Sequence, residues 1–301
     1  MTATEQSWTL NVSAGESRDA VTALAELSGL SRSAVKQAML KGAVWLRRGG
    51  KEKRLRITTA ALAAGDRLQL CYDPQVLALK PEMPELVADN KRYSLWHKPA
   101  GMLAQGSRFG DHCALDRLVE QHLNRQSLLV HRLDRETSGL MLLAHDGKMA
   151  AALSAELANG DMFKAYLALV KGELSQRLWL DQPLDGQSAE TEVEPLHYDG
   201  ARNLTLVAVR LLTGRTHQIR RHLTDAGLPV WGDPRYGSGN KNSSGLALQA
   251  QALAFHCPLL QQARRWQAPL PQWLPAAVDS EAVNAMLQSL YERHQQSRRW
   301  S

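Results

Sequence analysis

Cysteine is scarce and long apolar runs are missing. The three cysteines among 301 residues, Cys71, Cys113 and Cys257, lie far apart with no CxxC pair. That spacing excludes a disulfide framework and a zinc ribbon and fits a reducing compartment. No apolar stretch approaches the ~20 residues of a membrane-spanning helix. The opening residues, Met1-Thr2-Ala3-Thr4-Glu5-Gln6, are polar rather than signal-like. A soluble, cytoplasmic protein with no membrane contact is expected. Internal repeats, low-complexity tracts and glycine-rich phosphate loops are also absent, which argues against a kinase-like phosphotransferase. His217 and His222 stand five apart without a partnering Glu, so a zinc-protease helix is excluded and no metal site is expected.

What is present is chain enough for about two domains at the usual ~100–200 residues each, with 44% hydrophobic residues to build cores. Lysine and arginine number 36 against 30 acids, a net charge of +6, which suits an anionic partner. Residues 1–73 read as a small α/β unit. Ser17-Arg18-Asp19 precedes Val21, Leu24 and Leu27 at helical spacing, and Ser31 starts a second helix carrying Val35, Met39 and Leu40. Strands are expected over 43–46 and, after a Gly65-Asp66 turn, over 67–72. Seven basic residues, Lys41, Arg47, Arg48, Lys51, Lys53, Arg54 and Arg56, surround one acid, Glu52. Charges of one sign beside a helix and a strand point to phosphate contacts that position a nucleic acid without reading its sequence, with Arg47, Arg48, Lys51 and Lys53 as candidates. A solvated charged loop is the competing reading.

Pro74, Pro81 and Pro84 mark 74–90 as a linker. Residues 91–280 read as an α+β domain on a mixed, mainly antiparallel sheet. Strands are expected over 94–97, 139–144, 163–170 and 204–211, and helices over 114–123, 148–159 and 217–226. Residues 281–301 read as a helix with a basic end (Arg293, Arg298, Arg299), an exposed flank.

The most informative stretch is His131-Arg132-Leu133-Asp134-Arg135-Glu136-Thr137-Ser138-Gly139, followed by Leu140-Met141-Leu142-Leu143-Ala144. An acid between two arginines stands on a glycine-closed turn that feeds a buried strand. Residues two apart in extended chain share a face, so Arg132 and Asp134 point the same way. A neighbouring guanidinium favours the charged form of a carboxylate. An ionised Asp134 serves as nucleophile, as base or as stabiliser of a cationic centre; a structural Asp–Arg pair capping a turn is the plainer alternative. Two blocks keep it company. Phe163-Lys164-Ala165-Tyr166 starts a strand, and Thr213-Gly214-Arg215-Thr216-His217-Gln218-Ile219-Arg220 is a glycine turn into a helix. A helix start favours anions; Arg215 and Arg220 reinforce that, or Arg220 pairs with the acid.

In chain order, Lys98-Pro99-Ala100-Gly101, the stretch from His131 to Leu140, Phe163 to Ala168, Gly214 to Arg220 and Gly232-Asp233-Pro234-Arg235-Tyr236-Gly237 resemble the motifs of the RluA-type pseudouridine synthases. The resemblance covers roughly residues 91–258. It implies isomerisation of uridine to pseudouridine in RNA with no cofactor. It also implies Asp134 as the catalytic acid residue, Arg132 as the group that displaces the target nucleotide from its stack, and Tyr166 as a stacking and proton-exchanging partner. Arg220 is then the ion pair that holds Asp134, and Lys98, Arg135, Lys164 and Arg215 complete the expected RNA contacts. Residues 1–73 resemble an S4-type RNA-binding domain through Ser31-Arg32-Ser33-Ala34-Val35-Lys36-Gln37 and Gly65-Asp66. The expected substrate is 23S ribosomal RNA and no protein partner is required. A tRNA target and a non-catalytic part in ribosome assembly are the alternatives.

Overall fold

Short polar side chains start the first helices where the apolar spacing places them. Asp19 accepts from the Thr22 amide at the head of α1 (Ala20–Ser28), and Ser31 accepts from the Ala34 amide at the head of α2 (Arg32–Leu40). The structure is a computed structural model that describes residues 5–13, 19–237 and 244–298. Ser17, Arg18 and Arg299, named above, lie outside the described residues, as does the side chain of Arg298. The chain divides into two units, Met1–Met83 with Leu103–Arg125 and Pro84–Met102 with Gln126–Ser301.

In the first unit, β1 (Gln6–Asn11), β2 (Val44–Arg48), β3 (Lys51–Arg54) and β4 (Arg67–Tyr72) form an antiparallel sheet in the order β1-β4-β2-β3. Gly49 and Gly50, both at positive φ (57° and 79°), make the two-residue turn between β2 and β3, the primed geometry that matches strand twist. Val21, Leu24, Val35 and Met39 of the helices bury against Val44, Leu46, Leu68 and Leu70 of the sheet. The proline-marked segment 74–90 is more ordered than a linker. Asp73 accepts from the Gln75 and Val76 amides and Pro74 occupies the first turn of α3 (Pro74–Ala78), where its missing N–H costs nothing.

The first unit also takes in α4 (Leu115–Leu123), which the amino-acid pattern alone places in the second domain. Ion pairs explain why. Asp111 binds Arg54 and Arg56, the Trp45 indole donates to the Arg108 carbonyl, and the Arg54 and Arg108 guanidinium groups lie over the Trp45 ring at 4.2 and 4.6 Å.

The second unit is built on β5 (Glu85–Asp89), β6 (Tyr93–Lys98), β7 (Leu128–Leu129), β8 (Ser138–Ala144), β9 (Phe163–Lys171), β10 (Leu178–Leu180), β11 (Thr191–Asp199), β12 (Leu204–Leu211), β13 (Leu248–Cys257) and β14 (Gln262–Gln267). The path runs β10-β11-β12-β9-β13-β8-β6-β5, with β14 on β13 and β7 on β8. The pairs are antiparallel except β8 with β13, in keeping with the expected α+β class. α5 (Gly147–Ala158) buries Met149 and Leu153 with Leu140, Leu142 and Phe255. α6 (Gln218–Asp225) follows β12, and α7 (Ser280–Arg298) closes the chain.

α7 corrects the expectation of an exposed flank. Val283, Leu287 and Leu290 are fully buried against Phe163, Ala165 and Leu167 of β9, a stripe at helical spacing that contributes about 1.5–3 kcal/mol per large side chain. Arg293, expected on the basic end, binds Glu192 and Glu194 of β11.

Candidate active site

The loop between β7 and β8 carries Asp134, and the backbone approach of two strands dictates its glycine. Gly139 has φ +114°, and a Cβ built there would overlap the Ala250 backbone across the parallel β8–β13 pairing. Gly139→Ala is therefore expected to cost at least about 2 kcal/mol in urea denaturation; a stability unchanged within error would show that the strands can part freely. The Thr137 amide closes the turn on the Asp134 carbonyl at 3.2 Å. His131 accepts from the Leu142 amide through Nε2, and burial first, then the Lys164 charge, pushes its pKa down to about 4. It is a neutral structural acceptor.

The second wall is the turn before α6. Gln218 accepts from the Thr213 hydroxyl and the Arg215 amide, and donates to the Glu190 carbonyl and the Thr191 hydroxyl. One buried amide thus fixes residues 213–218 to β11. A cavity of about 120 Å³ opens between these walls, lined among others by Arg132, Asp134, Tyr166, Arg215, His217 and Arg220.

Arg220 anchors the acid. It is 2% exposed, donates from Nη1 to Asp134 Oδ2 at 3.2 Å, and forks onto Asp233 through Nε (2.7 Å) and Nη2 (2.8 Å). Glu136 lies 3.7 Å from the same guanidinium. Burial works against the Arg220 charge, but the hydrogen bonds and charges of Asp233 and Asp134 outweigh it and raise its pKa. Asp233 also accepts from the Arg235 and Tyr236 amides; with Arg220 they overcome the effect of burial and lower its pKa. Tyr166 is 8% exposed. Burial, then the negative Asp134, raises its pKa well above the ordinary phenol value, so it stays a neutral hydroxyl.

The structure brings Arg132, Asp134, Tyr166, Arg215 and Arg220 to one cavity, sets Lys164 behind its wall, and places Lys98, Arg135 and the basic residues of the first unit elsewhere. Lys98 is corrected from an RNA contact to a buried tie. It is fully buried, and its amine donates to the carbonyls of Pro99, Met102 and Arg135. Arg135 returns a bond from Nε to the Gly101 carbonyl, and the Gly101 amide donates to the Arg135 carbonyl. Both residues knit the 99–102 loop to the acid's loop. Burial, opposed by Asp134 and Glu136, lowers the Lys98 pKa to about 7.

Between that value and 10.5 the unfolded chain holds a proton the folded chain has shed, so this group makes stability rise with pH. Lys98→Met should cost about 1–3 kcal/mol at pH 7 by leaving three carbonyls without a donor. It should also remove that rise when urea midpoints are compared at pH 7 and pH 9.

Lys164 shares a face of β9 with Tyr166 and reaches the cavity wall at Gly214, its Nζ 4.0 Å from a Cβ built there; burial lowers its pKa to about 8. Arg215 lines the cavity and donates to the Ser188 carbonyl. Of the basic run in the first unit, Arg48 pairs with Asp66, Arg54 and Arg56 with Asp111, and Lys41 donates to the Leu77 carbonyl. Arg47, Lys51 and Lys53 stay exposed on β2 and β3. Sequence reasoning assigned no role to Asp233, His217 or Tyr236. All three stand in quoted motifs, but only the fold shows Asp233 completing the Arg220 fork. Among the described residues no group of three His, Cys, Asp or Glu side chains could hold a metal ion, and no helix is long and apolar enough to cross a membrane.

Comparison with known proteins bears on the family and the fold. The family described as RNA pseudouridylate synthase matches residues 92–225. An uncharacterized RNA pseudouridine synthase of Bacillus subtilis, YjbO, is 31% identical over 75% of this chain and 80% of its own length. Ribosomal large subunit pseudouridine synthase D of Xanthomonas campestris is 30% identical over 86% of this chain and 87% of its own length. Among solved structures, Human RNA Pseudouridylate Synthase Domain Containing 1 shares the fold, with a TM-score of 0.58 at 20% identity over 71% of this chain and 98% of that one. The chain belongs to the RluA-type RNA pseudouridine synthases, isomerases whose substrate is RNA.

Proposed function

We propose that Asp134 is the group that acts on the ribose of a uridine in large-subunit ribosomal RNA. The observation that carries the reading is one ionisable oxygen pair held by a buried arginine and facing, across a small cavity, a neutral tyrosine. A stacked uridine hides C1′ and C5, so the nucleotide must leave its stack, at a cost of a few kcal/mol. Arg132, exposed at the cavity mouth, offsets that by occupying the gap and meeting phosphate. Asp134 then attacks C1′ or takes a ribose proton. In either route the N1–C1′ bond breaks and the uracil turns; C5 then bonds to C1′ as the Asp134 carboxylate leaves that carbon, or as the ribose proton is returned, and the proton lost from C5 is matched by one gained at N1. Atoms and electrons balance without an oxidant or reductant. Tyr166 supplies the flat face for the base and a neutral O–H for proton exchange.

The choice of ribosomal RNA follows the name of the Xanthomonas relative. Pseudouridine mapping of total RNA with and without the protein tests it: sites lost only from 23S RNA support it, and sites lost only from tRNA overturn it. In the same reading the first unit is an S4-like RNA-binding module that uses Arg47, Lys51 and Lys53. Replacing all three by Ala should flatten the slope of log affinity against log salt by about 0.7–0.9 for each phosphate no longer neutralised. An unchanged slope would make these residues an ordinary solvated surface.

A further inference from the structure

His217 is held unusually well for a residue at a turn. It sits at φ +54° as the N-cap of α6 without capping the helix by its side chain. That left-handed backbone is uncommon outside glycine, although histidine tolerates it better than most. Its Nδ1 is 2.9 Å from the Tyr236 hydroxyl, with the two rings edge to face at 5.6 Å. Its Nε2 is 3.7 Å from Asp134 Oδ1, the oxygen that Arg220 does not hold. Tyr236 is itself fixed, because its amide binds Asp233 and its ring lies under Arg220 at 5.2 Å. The contacts form a closed circuit: Asp134, Arg220, Asp233, the 233–236 turn, Tyr236, His217, and back to Asp134.

We propose that His217 is a positioning residue for Asp134, directing an Nε2–H at Oδ1 in a tautomer fixed by the Tyr236 hydroxyl. This rests on the reading of Asp134 as the reactive carboxylate. A carboxylate facing Nε2 favours the ring proton on that nitrogen, which leaves Nδ1 to accept from Tyr236. Arg220 hydrogen-bonds one oxygen and His217 faces the other at 3.7 Å, beyond hydrogen-bond reach, so the imidazole biases the carboxylate plane electrostatically from the second side. A single guanidinium contact would leave it free to swing. Asp134, Arg220, Asp233, Arg235 and Tyr236 are the titratable groups that face the imidazole from the loop, the helix and the turn. Burial lowers the His217 pKa; Asp134 opposes this, Arg220 and Arg235 add to it, and Asp233 opposes it. The ring is therefore neutral at neutral pH. Protonation in acid turns the contact into an ion pair that competes with the substrate for Oδ1.

The test is kcat and KM on an RNA substrate, with pH profiles, for His217→Phe, His217→Gln and Tyr236→Phe. His217→Phe should lose about tenfold to a hundredfold in kcat with KM changed less than about threefold. Gln, which keeps an N–H of similar reach but does not titrate, should recover part of that rate. It should also carry the acid-side fall to lower pH than in the native enzyme. Tyr236→Phe changes only the hydroxyl; it should lower kcat and shift the acid limb, and it decides the matter if His217→Phe fails to fold. Native kcat and an unmoved acid limb in Tyr236→Phe and in a folded His217 variant would overturn the proposal. Asp134→Asn, run beside them, reports separately on the reading beneath it: an active Asp134→Asn enzyme sinks that reading whatever His217 does.

Discussion

Asp134→Asn is expected to lower the rate of pseudouridine formation by at least about 10³-fold, some 4 kcal/mol of transition-state stabilisation, while RNA affinity stays within about threefold. The substitution keeps volume and an oxygen for Arg220 but removes the charge that the proposed chemistry at C1′ uses. Folding should survive, because Asp233 retains both of its bonds to Arg220 and no buried cation is orphaned. A stability change below about 1 kcal/mol is anticipated on that ground. Single-turnover kinetics beside a filter-binding titration would separate the two effects. Loss of RNA binding with the activity would mean that the carboxylate holds substrate rather than acting on it.

Arg220→Ala should do more damage. Activity should fall by about 10²-fold or more because Asp134 loses its restraint. Stability should also fall by about 3–5 kcal/mol, because the Asp233 side chain, with no exposure of its own, is left as an uncompensated charge. The partner's titration gives a second signature. Asp233 has a lowered pKa in the fold, so its contribution is present above its ordinary value of 3.8 and fades as pH falls below it. Arg220→Ala should remove that acid-side loss. Adding Asp233→Asn to Arg220→Ala should return part of the stability and none of the rate. Equal stability of the single and double variants would show that water already reaches Asp233.

The same contacts explain what was legible beforehand. The loop, β8 and β9 could be read because an apolar run follows a polar turn, and α6 because a glycine turn precedes a helical pattern. β13 was missed because Gln249 and Gln251 interrupt its apolar run; in the fold both are buried and donate to the Pro269 and Ala268 carbonyls. β11 was hidden by Glu192, fully buried among Arg177, Arg210 and Arg293, and by Pro195, where the pairing with β12 shifts register. Lys98 misled because a lysine is ordinarily a surface charge, and nothing in its neighbours along the chain announces three converging carbonyls. In the site, the pairing of Asp134 with Arg220 was available from motif resemblance. The fork from Arg220 to Asp233, and the circuit through Tyr236 and His217, depend on which loops meet, which spacing along the chain does not encode.

The most direct measurement uses RNA carrying tritium at C5 of its uridines. If Asp134 drives the exchange of N1 for C5 at C1′, the native enzyme must release one tritium to water for each pseudouridine formed, and Asp134→Asn must release none while still binding the RNA. Tritium release by Asp134→Asn at the native rate would contradict the assignment of the chemistry to that carboxylate.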